Sequence, residues 1–148
     1  MRIALAIALC ALCAPLASRS DWATESATKA QSEGAVSTYV SVAGAPGDGE
    51  QALAAALAKR LAATGVRQAS AFEANIYDIQ GTVRVSPAQR GKETVIIIWV
   101  VLGPDGNQLG VTRQTKDVKK GSLDKRWGAA ADAAAAAAAA DIVKLLPQ

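Results

Sequence analysis

Apolar and polar positions alternate along residues 36–42, with Val36, Val40 and Val42 falling on one side of the chain. A period of two is the signature of a β-strand. The run 44–49, Gly-Ala-Pro-Gly-Asp-Gly, then forces a turn. Asp48 is placed to cap a following helix, with Gln51 three residues on completing a pair of the capping-box kind. Leu53, Leu57 and Leu61 recur every four residues, which predicts a helix closed by Gly65 in a left-handed conformation. A second strand is expected over 74–85, carrying Tyr77, Ile79, Val83 and Val85 on one face, with Gly81 as a bulge or a point of close approach. Residues 94–102 are apolar on both faces, as in a central strand covered on both sides. The run 103–107, Gly-Pro-Asp-Gly-Asn, is a hairpin turn. A more polar strand returns over 108–118, with Leu109 and Val111 expected inward and Thr112, Gln114 and Lys116 outward. A long final helix is expected from Leu123 to about Leu146, capped by Ser122 and stopped by Pro147. Its apolar stripe runs through Leu123, Trp127, Ala131, Ala134, Ala138, Ile142 and Leu145.

The order strand-helix-strand-strand-strand-helix predicts an α+β fold: a four-stranded mixed sheet with two helices packed on one face. The first crossover is expected to be parallel and right-handed, and the last three strands an antiparallel meander. Two helices cover one side of such a sheet. Either Trp99 or the alternate set Ile96, Ile98, Val100 and Leu102 must then lie on the other side. An apolar row left uncovered there marks an interaction surface.

The amino terminus has a different pattern. Met1 and Arg2 precede an apolar run over 3–16, broken only by Pro15, and small and polar residues follow. This is the order of a secretory signal peptide, and the run is shorter than the ~20 residues of a membrane-spanning helix. The expected division is a signal over 1–20, a tether or lead-in over 21–34, and a single domain over 35–148. A short helix over 23–31 is the alternative for the lead-in. Leu9 before Cys10 and Leu12 before Cys13 make poor lipid-attachment sites, so tethering to a membrane is the lesser reading.

Composition narrows the chemistry. The chain carries 16 Lys and Arg against 13 Asp and Glu. Removing the signal takes Arg2 and Arg19 with it and leaves 14 against 13, which gives no strong basic field for nucleic acid. There is no histidine, and both cysteines sit in the signal. Serine–histidine and cysteine–histidine catalysis are thereby excluded, along with the favoured zinc ligands. The acids are scattered. The reading is of a protein without catalytic residues, cofactor or metal.

Three other features invite a functional reading and have a plainer one. The 44–49 loop lies between a strand and a helix, where phosphate loops sit, but it lacks the Lys-Ser/Thr pair, and a capped turn explains it. Lys119, Lys120, Lys125 and Arg126, with Lys116 nearby, form a basic rim at the start of the last helix, suited either to an anion or simply to solvent. The run 129–140, alanine apart from Asp132, is either a close helix contact or a stretch of the best helix former.

The 44–49 loop, Trp99, Pro104-Asp105-Gly106 and the run 121–128, Gly-Ser-Leu-Asp-Lys-Arg-Trp-Gly, together resemble small uncharacterised exported proteins of alphaproteobacteria, often lipoproteins. The element order is also similar to that of the amino-terminal domain of TolB. The resemblance carries no assigned site residues. The expectation drawn from the residues is a periplasmic, non-catalytic binding or assembly module contacting a protein partner of the envelope through a sheet face or edge. The alternative is a carrier of a small apolar or lipid-like ligand held between helices and sheet.

Overall fold

The computed structural model describes residues 36–147. The signal and tether expected over 1–20 and 21–34 lie outside the described residues. The described residues form one compact unit. Its strands are β1 (Ser37–Ala43), β2 (Arg67–Gln68), β3 (Tyr77–Val85), β4 (Lys92–Leu102) and β5 (Gln108–Lys119). The helices are α1 (Gly49–Ala62) and α2 (Gly128–Leu145).

The sheet has five strands in the order β2-β1-β3-β4-β5, where four were expected. The addition is β2, two residues running parallel to β1 at the sheet's edge. Backbone bonds from Arg67 N to Val36 O and from Ala69 N to Thr38 O, both 2.8 Å, build it. The Gln68 amide donates to the Thr38 hydroxyl at 2.8 Å and so satisfies a fully buried polar residue. Two residues are too few to show a period. The expected pairings are present: β1 pairs parallel with β3, and β3-β4-β5 form the antiparallel meander.

Helix α1 forms where the leucine spacing places it, with Leu53, Leu57 and Leu61 fully buried. Gly65, at φ +89°, closes it with bonds from Gly65 N to Ala62 O and Val66 N to Leu61 O, the paired bonds of a Schellman ending. Gly81 is a close-approach point: a methyl group there would stand 2.6 Å from the Trp99 ring.

Helix α2 begins at Gly128, five residues later than expected, and Ser122 does not cap it. A helix continuous from Ser122 would need the carbonyl of Lys125 for its own ladder. That carbonyl instead accepts the amide of Asp48. Leu123 and Trp127 remain in the core although they precede the helix. At 18 residues, α2 spans roughly 27 Å. Its buried positions are Ala131, Ala135, Ala138, Ala139 and Ile142. Leu146 adopts an extended conformation before Pro147, as a residue preceding proline tends to do. Among the described residues no helix is long and apolar enough to cross a membrane.

Both helices lie on the same side of the sheet as Val95, Ile97, Trp99 and Val101, which are buried. The facing of β5 is opposite to that expected. Register pairs Ile97 with Gln114, Trp99 with Thr112 and Val95 with Lys116, and directly opposed residues share a face. Thr112, Gln114 and Lys116 therefore point to the helix side, and Val111 to the other, where it is 49% exposed. Polarity alone would face this row to solvent. The β4–β5 register overrides it.

Candidate functional site

Three regions carry the residues singled out above, and the structure treats them differently. The first is the joint between the 44–49 loop and the approach to α2. The Asp48 carboxylate makes no capping bond to α1. It accepts the backbone amide of Trp127 at 2.8 Å, while the Asp48 amide donates to Lys125 O at 3.2 Å. The Trp127 indole N–H donates to Pro46 O at 2.9 Å. Gly47, at φ +62°, lies so close to the Asp124 and Lys125 carbonyls that a methyl group would sit 2.7 and 2.8 Å from their oxygens. Glu50, not Gln51, reaches back, accepting the Gly44 amide at 2.8 Å. The loop that resembled a phosphate cradle is thus a latch holding the start of α2. Its carboxylate occupies the amide an anion would seek.

Beside the latch, Lys119, Lys120, Lys125 and Arg126 are all exposed and make no ion pair among the described residues. Lys119 closes β5, and the other three lie in the turns between β5 and α2.

The second region is the sheet face without helices. Ile96, Ile98, Val100 and Leu102 all lie on it, half-buried, in a row one strand wide. Ile96 stands between Arg84 and Thr115, Ile98 between Thr82 and Arg113, and Val100 between Gln80 and Val111. The apolar row is thus bordered by polar chains and widens only at Val111. On the far side of β3, Tyr39 meets Phe72 edge-to-face, ring centres 6.3 Å apart, and Phe72 is 65% exposed. The face ends at β5, a 12-residue strand whose outer edge has no strand partner among the described residues.

The third region is the space between helix and sheet, where the carrier alternative would hold its ligand. Between α2 and the β4–β5 pair lies a groove of about 390 Å³, within the usual range of small-molecule sites. Val95, Ile97, Val118, Leu123 and Trp127 line it on one side and Ala130, Ala133, Ala134 and Ala137 on the other. Gln114 and Lys116 reach it from β5. The Gln114 amide nitrogen donates to Ala134 O at 3.1 Å, which fixes the orientation of the amide. Its Oε1 is buried and unpaired. So are the neighbouring Thr112 Oγ1 and Trp99 Nε1. Each such atom costs about 1–3 kcal/mol when left without a partner. The sequence signal is the polar spacing of Thr112, Gln114 and Lys116, whose face is set by the β4–β5 register and not by polarity.

Among the described residues no group of three or more His, Cys, Asp or Glu side chains comes together to hold a metal. Asp105, in the β4–β5 turn, is held below its ordinary carboxylate value by the Asn107 backbone amide and then by the Asn107 side chain.

No protein-family model matches the chain, and no curated protein matches it either. Solved structures do. A PelC variant, crystallised as a dodecamer, from Paraburkholderia phytofirmans is 22% identical over 70% of this chain and 85% of its own, with a TM-score of 0.49. An uncharacterized protein is 14% identical over 74% and 90%, with a TM-score of 0.50. A minor lipoprotein from Acinetobacter baumannii is 12% identical over 72% and 91%, with a TM-score of 0.42. With the second of these the chain shares a fold.

Proposed function

We propose that this chain is a non-catalytic binding or assembly module of the cell envelope, exported to the periplasm, which contacts a protein partner through the β5 side of its sheet. The observation that carries this reading is the open edge of β5, beside the exposed Val111 and the row Ile96, Ile98, Val100 and Leu102. An unpaired strand edge is a template for another chain: backbone bonds supply affinity, and side chains on the adjacent face supply selectivity. β5 is about twice the usual strand length and contains no proline. In this reading the export address is the apolar run over 3–16. The chain then belongs with the small exported proteins of alphaproteobacteria that its motifs resemble, with a fold analogous to the amino-terminal domain of TolB.

The test places a photo-crosslinking side chain at Val111 and, in a second variant, at Asp132 on the exposed surface of α2, and irradiates intact cells. The reading expects a discrete protein adduct from position 111, absent from position 132 and lost when Thr115→Pro blocks the edge in the same chain. Adducts that form equally from both positions, or from neither, would contradict it.

A further inference from the structure

We infer that the groove between α2 and β5 is a binding site for a single-chain amphiphile with an anionic head and one hydrogen-bond donor next to it. The site lies on the sheet face opposite the proposed partner surface and is independent of it. Three observations specify the occupant. The walls, Val95, Ile97 and Leu123 against Ala130, Ala134 and Ala137, are apolar and suit an aliphatic chain. Because the alanines of α2 carry no bulk, the helix stands over β5 without filling the space between them.

The polar groups then set the head. Gln114 Oε1 is buried without a partner, and the bond from Nε2 to Ala134 O prevents the amide from turning over to offer a donor instead. With a small shift of the side chain toward the groove, a hydroxyl or an amide N–H of the occupant would satisfy it. Lys116, two residues along the same face, lines the groove, is exposed, and is in no ion pair among the described residues. A carboxylate or phosphate placed there gains a cation that no acid of the described chain already neutralises. An N-acyl amino acid presents the three features in one molecule: chain, amide and carboxylate.

The probe is N-dodecanoylglycine, titrated calorimetrically into the full processed chain. The expected result is one site per chain, with affinity at least about tenfold weaker for the methyl ester, which lacks the charge, and weaker also for dodecanoate, which lacks the amide. Ala137→Leu, at an exposed helix position that leucine tolerates, fills the groove and abolishes binding. Lys116→Glu weakens binding by about tenfold or more. Arg60→Glu, the same charge reversal on exposed α1, leaves it unchanged. Absence of heat with N-dodecanoylglycine, equal affinity for its methyl ester, or unchanged affinity in Lys116→Glu would overturn the inference. So would a chain that is dimeric at calorimetric concentration and becomes monomeric in Ala137→Leu, since the groove would then seat a second copy.

Discussion

The two tryptophans of the folded unit show how differently two parts of it are built. Trp127 and Trp99 are both buried, at 3% and 0% exposure. At the latch, the Trp127 indole and backbone N–H groups each have a partner, supplied from about 80 residues earlier in the chain. Under α2, the Trp99 indole N–H has none, and neither have Thr112 Oγ1 and Gln114 Oε1 beside it on β5. The latch is closed chemistry, in which polar groups serve to fix one helix against one loop. The β5 side is open: an unpaired edge, a groove and unmet hydrogen-bonding capacity lie together. The difference separates polar residues that build the fold from those left to meet something else.

Glycine substitutions break this comparison most strongly. Gly47→Ala forces a left-handed residue and a methyl group against two backbone carbonyls, and should cost about 3 kcal/mol or more. Gly110→Ala, under α2, meets the methyls and Cγ of the Leu145 side chain, with no backbone among its nearest contacts, and should cost about 1 kcal/mol. Denaturant midpoints at constant slope measure both. Equal costs would mean that the β5 side is as rigid as the latch.

A pair of substitutions sharpens it. Trp127→Phe removes an indole that is bonded, and Trp99→Phe one that is not. Each leaves a similar hole. The first should therefore cost about 1–2 kcal/mol more than the second, read from the same unfolding curves.

Smaller again is Gln114→Leu, which exchanges one bond to Ala134 O for the removal of an unpaired acceptor. Stability should change by less than about 1 kcal/mol in either direction. The weakest effect is in the β4–β5 turn. Asp105 titrates below its ordinary value because the Asn107 amide favours the charged form. Its contribution to stability is present above the unfolded-state value and is lost as pH falls through the lower folded value. Carboxyl chemical shifts followed through acid pH should show this midpoint, and Asn107→Ala should move it upward.

Much of the fold was legible because local pattern and tertiary demand agree. The four-residue spacing of Leu53, Leu57 and Leu61 gives α1. The turn at 103–107 gives the meander, and the period of two on β4 put Ile96, Ile98, Val100 and Leu102 on one face. Failures came where distant bonds decide. Ser122 is a good helix cap locally, but Lys125 O is taken by Asp48, so α2 starts at Gly128. Thr112 and Gln114 look solvent-facing until β4 dictates their register. The polar lining of the groove was illegible for the same reason, since it carries the signature of a surface.

The claim that β5 is an open edge can be read amide by amide. In an antiparallel edge strand, alternate amides bond to the neighbouring strand and the rest face outward. Hydrogen exchange followed by NMR on the isolated chain should therefore alternate along Gln108–Lys119, slow where β4 accepts the bond and near the unprotected rate between. Uniformly slow exchange along β5, matching that of β4, would show the edge already covered and would contradict the account.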